Sequence, residues 1–172
     1  MKKYNIKKSA KQLLFLVLFI FVSSNSFSQK STIVIDLGYR TKFDNTKWGM
    51  GSQYKFSLNK NFRIASDFML YIPEDSDFGL DVGLNIQYVI NPVNNLSFYP
   101  LVGGIMSNHH FSADGGDRNQ SEFGMALGAG AEYYVSRRGF ISADWRYHLI
   151  DKEKPNWYRD YGVIRLGYGF KF

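Results

Sequence analysis

The sequence has no cysteine, so neither a disulfide scaffold nor a thiolate metal site is available to it. A lipid-anchored lipoprotein is excluded for the same reason, since no cysteine follows the apolar run near the N-terminus. Long hydrophobic runs are almost absent. The mean hydropathy is −0.26, and a bundle of transmembrane helices would need several apolar stretches of about 20 residues. Acidic residues are missing from the first 28 positions, where five lysines stand. What the 172-residue chain does have is aromatic and β-branched side chains in quantity, 17% of it being Phe, Trp or Tyr, which excludes a disordered polymer. The length suggests one domain with a short appendage.

The appendage is at the N-terminus. Lys2, Lys3, Lys7, Lys8 and Lys11 precede an unbroken apolar run from Leu13 to Val22, followed by Ser23, Ser24, Asn25, Ser26, Phe27 and Ser28. Charged, apolar and small-polar regions in that order make a secretory signal peptide. Ser26-Phe27-Ser28 meets the small-x-small rule, which places the cut before Gln29. The run is too short for a membrane anchor, since about 30 Å of hydrocarbon needs about 20 residues. The chain therefore divides into a signal peptide, 1–28, and a mature domain, 29–172. Loss of five lysines takes the bases from 21 to 16 against 15 acids, so the net charge falls from +6 to +1. A basic nucleic-acid-binding footprint is absent from the mature chain, and nucleic acid is not an expected partner.

The mature chain alternates with period two, the signature of half-buried strands. Eight segments follow one another at about 32–40, 47–58, 62–72, 78–90, 96–107, 122–135, 141–149 and 162–172. Each carries one uncharged stripe, such as Ile33, Ile35, Leu37 and Tyr39, or Val82, Leu84, Ile86 and Tyr88. In the fifth segment both faces are apolar, and its even positions are assigned to the same stripe. The opposite stripes hold Asp36, Arg40, Lys47, Lys55, Arg63, Asp67, Asp81, Glu122, Glu132, Asp144, Arg146, Arg165 and Lys171. Gln53, Asn85, Gln87, His148 and most of the 16 glycines share that side.

Two barrels fit such a pattern, and volume separates them. A soluble ligand-binding barrel turns its apolar face inward, whereas a membrane barrel turns it toward lipid. An eight-stranded barrel has an interior just wide enough for side chains, too narrow for Trp48, Trp145 and a dozen other aromatic rings. Glycines interleaved with Asp and Arg suit a narrow polar lumen. Charge agrees, because a lipid-facing Arg or Lys costs about 2–4 kcal/mol at the bilayer midplane. The strand ends add two aromatic girdles: Tyr39, Trp48, Phe78, Phe123, Tyr147 and Tyr161 at one end, and Phe56, Phe62, Tyr88, Phe98, Tyr133, Phe170 and Phe172 at the other. Connections at 59–61, 91–95 and 136–139 are short, and those at 41–46, 73–77, 108–121 and 150–161 are longer as a set. Short periplasmic turns and longer external loops have that asymmetry.

The expected fold is therefore all-β, an eight-stranded antiparallel up-and-down transmembrane β-barrel behind a cleavable signal peptide. On these features the chain resembles the small outer-membrane β-barrel family that includes the outer-membrane protein A and X barrels. The resemblance implies the outer membrane of a Gram-negative bacterium, with outer-membrane lipids and lipopolysaccharide as surroundings. It also implies that Tyr168, Phe170 and Phe172 form the signal read by the barrel-assembly machinery. It does not fix an activity, because the fold hosts unrelated functions.

Three groups of residues are candidates for function. The inward charges Asp36, Arg40, Lys55, Arg63, Asp67, Asp81, Glu122, Glu132, Asp144, Arg146, Arg165 and Lys171 are expected to pair across the lumen, since unpaired buried charges are costly. The third external loop offers His109, His110, Asp114 and Asp117, whose spacing matches no metal signature, and Asp114-Gly115-Gly116-Asp117 reads more simply as a turn. The fourth loop offers Trp157 and Tyr158, read as interfacial anchors with the capacity to touch lipopolysaccharide sugars or a partner protein. Lipid A deacylases and acyltransferases of this size need an accessible Ser near a His and an acid. Ser52 and Ser66 lie on the apolar stripes with no His on their strands. The reading is a monomeric structural or surface-interaction barrel without catalytic residues, metal or cofactor, with a lipid A-modifying enzyme or a narrow channel as alternatives.

Overall fold

The structure, a computed structural model, describes residues 31–41, 47–74, 77–113, 116–150 and 160–172. The signal segment lies outside these residues. The strands are β1 (Ser31–Thr41), β2 (Lys47–Ser57), β3 (Phe62–Glu74), β4 (Asp77–Tyr88), β5 (Ile90–Val93), β6 (Leu96–Ala113), β7 (Gly116–Tyr134), β8 (Gly139–Ile150) and β9 (Tyr161–Lys171). Each long strand pairs antiparallel with its sequence neighbour, β1 pairs with β9, and β4 pairs with β6. The eight long strands thus close a ring, which satisfies every strand edge internally as hydrocarbon demands.

β5 is the continuation of β4 rather than a ninth stave. The ladder breaks at Val89, whose amide donates to Asn61 O, and the register slips between Ile90 and Val93, where Pro92 has no N–H to give. β3 has a similar slip between Tyr71 and Glu74, on either side of Pro73.

The alternation has the sense required for a membrane barrel. Outward residues such as Ile35, Leu84, Phe123 and Leu166 are exposed, while Asp36, Asn85, Glu122 and Arg165 beside them are buried. In β6, Phe98 and Val102 face out, and Tyr99, Leu101, Ile105 and Ser107 face in. Tyr39 and Trp48 meet at 4.9 Å between ring centroids near one rim, and Phe62 and Tyr88 at 5.0 Å near the other.

Two expectations change. The segment 108–121 is not a long irregular loop: β6 and β7 run on as a paired hairpin to Ala113 opposite Gly116. Strands of 18 and 19 residues exceed the roughly 9–11 needed to cross the bilayer, so this hairpin extends beyond the wall. Outside lipid the pairing needs only backbone hydrogen bonds, which is why polar side chains concealed it in the sequence. Tyr161 is also not a girdle residue. Its odd position on β9 points it into the lumen, where it is 2% exposed. The side chain of Phe78 lies outside the described residues.

Glycines make room for what fills the interior. A Cβ on Gly169 would collide with the Phe140 ring, and one on Gly83 would stand 2.7 Å from Asp67 Oδ2. G169A is expected to cost about 1–3 kcal/mol of stability, and in an F140A background most of that cost should vanish. Urea titration of the folded barrel in lipid vesicles checks this, and an equal cost in both backgrounds would overturn it.

Candidate functional site

The inward stripes place ionisable groups at three heights, and each height contains a contact between opposite walls of the ring. Nearest the short turns, Lys55 on β2 reaches Glu132 on β7, which stands opposite it in the strand order, with Nζ 2.8 Å from Oε1. Arg63 on β3 grips the same carboxylate with both terminal nitrogens, at 2.9 and 2.7 Å. Such a two-pronged pair is strong and directional. The Tyr99 ring lies close to both cations, 4.9 Å from Lys55 Nζ and 4.5 Å from the Arg63 guanidinium.

At mid-height, Arg146 on β8 spans to Asp67 on β3, again the opposite wall, with Nη1 2.9 Å from Oδ1. Its Nε donates to Asp144 at 2.8 Å and its Nη2 to Gln53 Oε1 at 3.1 Å. Arg165 bridges Asp67 at 3.0 Å and Asp36 at 2.9 Å. Gln53 donates to Asp36 and to Asp144, at 2.8 and 3.2 Å. Arg63 donates to Gln87, Gln87 to Asn85, and Asn85 to Asp67, so a continuous chain of hydrogen bonds joins the two lower heights. Across both, Lys55, Arg63, Arg146 and Arg165 balance Asp36, Asp67, Glu132 and Asp144. Removing such charges from water is expensive, and it is offset only when the pairing is this complete.

Nearest the long loops, Asp81 accepts hydrogen bonds from three hydroxyls. Tyr71 donates at 2.8 Å, Tyr161 from the opposite wall at 2.8 Å, and Ser107 at 2.5 Å. Arg40 lies over the Tyr161 ring at 3.7 Å and the Tyr71 ring at 5.3 Å. The His148 ring meets Tyr161 edge-on at 4.7 Å, with Nδ1 3.8 Å from Asp81. Glu122 is buried here, opposite Ser107 in the β6–β7 register.

The structure therefore brings together most of the inward residues named from the sequence. Lys171 departs from the group. As the last residue of β9 it is half-buried at the mouth, with its ammonium 3.8 Å from the centre of the Tyr134 ring. The network also has members that charge alone did not reveal: Tyr71, Tyr99, Tyr161 and Ser107. Parity could have found them, since each stands on the inward side of its strand.

Of the loop-end candidates, the described residues give the strand positions of three. His109 and His110 lie in β6 and Asp117 in β7, with His109 opposite Gln120 and His110 opposite Asn119. Asp114, Trp157 and Tyr158 lie outside the described residues. Ser52 and Ser66 are outward, and His148 is inward, so these strands bring no serine to the imidazole. Tyr168, Phe170 and Phe172 are exposed on the outer face of the terminal strand.

Residues 14–172 match the family model of the outer membrane protein beta-barrel domain. None of the curated proteins matches the sequence significantly. Among solved structures, the chain is similar to the N-terminal β-barrel domain of Pseudomonas aeruginosa OprF, at 20% identity and TM-score 0.66, covering 82% of this chain and 97% of that one. It is similar to Ail, the attachment invasion locus protein of Yersinia pestis, at 19% identity and TM-score 0.63, covering 85% and 100%. It is also similar to Neisserial surface protein A, at 17% identity and TM-score 0.61, covering 83% and 95%. At these identities the likeness is one of fold.

Proposed function

The chain belongs to the outer membrane protein beta-barrel domain family, and from that premise we propose that it is a closed, non-catalytic barrel whose work is done at its surface. The single observation that carries this reading is the set of contacts between opposite walls: Lys55 to Glu132, Arg146 to Asp67, and Tyr161 to Asp81. An ion moving along the axis would have to break all of them. Each break would leave a desolvated charge or hydroxyl without its partner. Eight strands leave no spare bore around these side chains.

In this reading residues 1–28 direct export, and Tyr168, Phe170 and Phe172 present the assembly signal on the terminal strand. The barrel sits as a monomer among outer-membrane lipids, with the short turns toward the periplasm and the β6–β7 hairpin toward lipopolysaccharide. Its outer end, including Trp157 and Tyr158, makes the contacts. Ail was solved in complex with the heparin analogue sucrose octasulfate, and contact with surface sugars is the kind of role assigned here to the loop end.

Planar-bilayer recordings test the closed lumen. Insertion without reproducible unitary openings is the expected result, and discrete, repeatable conductance steps would overturn it. The non-catalytic part is tested on lipid A from cells with and without the protein. An unchanged acyl pattern is expected, and a gained or lost acyl chain would make the protein a lipid A-modifying enzyme.

A further inference from the structure

Basic side chains gather at the turn end of the barrel. Lys60, Arg137 and Arg138 are exposed there, and none of the three makes an ion pair among the described residues. Lys171 adds a fourth cation at the same rim. Glu132, the acidic side chain at this height among the described residues, is fully buried and engaged by Lys55 and Arg63. No exposed Asp or Glu stands beside Lys60, Arg137 and Arg138 among the described residues of this end.

Two of these cations border a groove of about 650 Å³ at the mouth. It runs between the turn after β5 and the turn after β7, and Asn94, Tyr134, Arg137 and Lys171 line it with Val93 and Val135. The second turn is rigidly held. Ser136 Oγ accepts from Gly139 N at 2.8 Å, and Lys171 N donates to Arg138 O at 2.8 Å. Arg137 and Arg138 therefore project from a fixed backbone, which lowers the entropic cost of gripping a ligand.

The groove has a second character. Val93 and Val135 are both more than half exposed, and they continue the outward apolar stripe formed by Ile90, Tyr133 and Phe170. Cations and lipid-facing apolar groups thus stand side by side on one lip. A small soluble anion would use only the first. An amphiphile uses both, its phosphate on the guanidiniums and its chains against the valines.

We propose that this groove is a binding site for the headgroup of an anionic phospholipid in the leaflet that bathes the turn end. Arg137 and Lys171 hold the phosphodiester, Arg138 adds charge from the same turn, Asn94 hydrogen-bonds the polar headgroup, and Val93 and Val135 meet the first methylenes of the acyl chains. The site is independent of whether the lumen conducts.

Native mass spectrometry of the folded protein, released from neutral detergent after titration with phosphatidylglycerol or with phosphatidylcholine of the same chain length, tests this. Phosphatidylglycerol should be retained at about tenfold lower concentration, and R137Q/R138Q should bring the two lipids within about twofold, as charge at a membrane surface predicts. K60Q removes a cation from the opposite side of the mouth and should leave the preference intact. Heat-modifiable gel migration checks that the variants are folded. Should R137Q/R138Q not fold, raising the salt on the unaltered protein replaces it, and the preference should collapse by screening. Equal retention of the two lipids would overturn the proposal. So would K60Q acting as strongly as R137Q/R138Q, a salt-insensitive preference, or displacement of the lipid by equimolar glycerol phosphate.

Discussion

E132A is expected to destabilise the barrel by about 3–5 kcal/mol, the usual cost of breaking a buried ion pair from one side. Glu132 is fully buried and takes a hydrogen bond from Lys55 and two from Arg63, both themselves buried. Removing its carboxylate leaves two cations in the lumen with no counter-charge at that height, Arg63 keeping its hydrogen bond to Gln87 and both cations keeping the Tyr99 ring. Neither can escape readily, because Lys55 and Arg63 are anchored on walls that the ring holds in place. Urea titration in lipid vesicles, followed by tryptophan fluorescence, measures the loss.

The large value would reflect abandoned charges rather than the net worth of the pairing. A triple variant, K55M/R63M/E132L, removes both signs at this height and should recover part of the stability, since apolar replacement of buried charges is often neutral or better; Arg146 and Arg165 then face three carboxylates, Asp36, Asp67 and Asp144. A loss within about 0.5 kcal/mol for E132A, the range of an ordinary surface change, would mean that water enters the lumen at this height and would count against a closed barrel.

I35R is the second large effect, expected at about 2–4 kcal/mol. Ile35 lies near the middle of β1, is 64% exposed on the outer face, and has Asp36 directly behind it on the inner one. An arginine there would enter the hydrocarbon near its centre. V135R, at the turn end beyond β7, serves as the depth control and should cost only about 0–1 kcal/mol, because its guanidinium reaches the interface. The ratio of the two separates a bilayer effect from a general intolerance of arginine on strands. Equal costs in the same vesicles would contradict the placement of this face in lipid. The two variants also leave the lumen untouched, so their effects should add to that of E132A.

The difference between these variants shows how much of the molecule was legible in the sequence. The facing of Ile35 and of Glu132 could be read directly, because side chains on a strand alternate with a period of two and a single parity error would have put charge in lipid. The same logic placed Ser52 and Ser66 outside and His148 inside. It failed for Tyr161, assigned to a girdle by its closeness to a strand end, although its parity pointed inward. It also failed for the segment containing His109 and His110, where the strands continue beyond the bilayer and no apolar stripe marks them.

Arg146 and Asp144 share one face of one strand and their pairing could be read from alternation, but which inward charge meets which across the lumen could not. Lys55 and Glu132 are 77 residues apart, Arg146 and Asp67 are 79 by their numbering, and Asp81 and Tyr161 are 80. No local pattern relates such positions. Their meeting depends on which strands stand opposite each other once β4 closes on β6, and on the stagger between strands that sets their relative heights. The sequence by itself determined the number of long strands, the face each residue takes and the balance of charge inside, because these follow from alternation along a single strand. Only the tertiary structure decided the partners across the lumen, the fate of Lys171 at the mouth and the basic groove beside it, because those are properties of a closed ring rather than of any one strand.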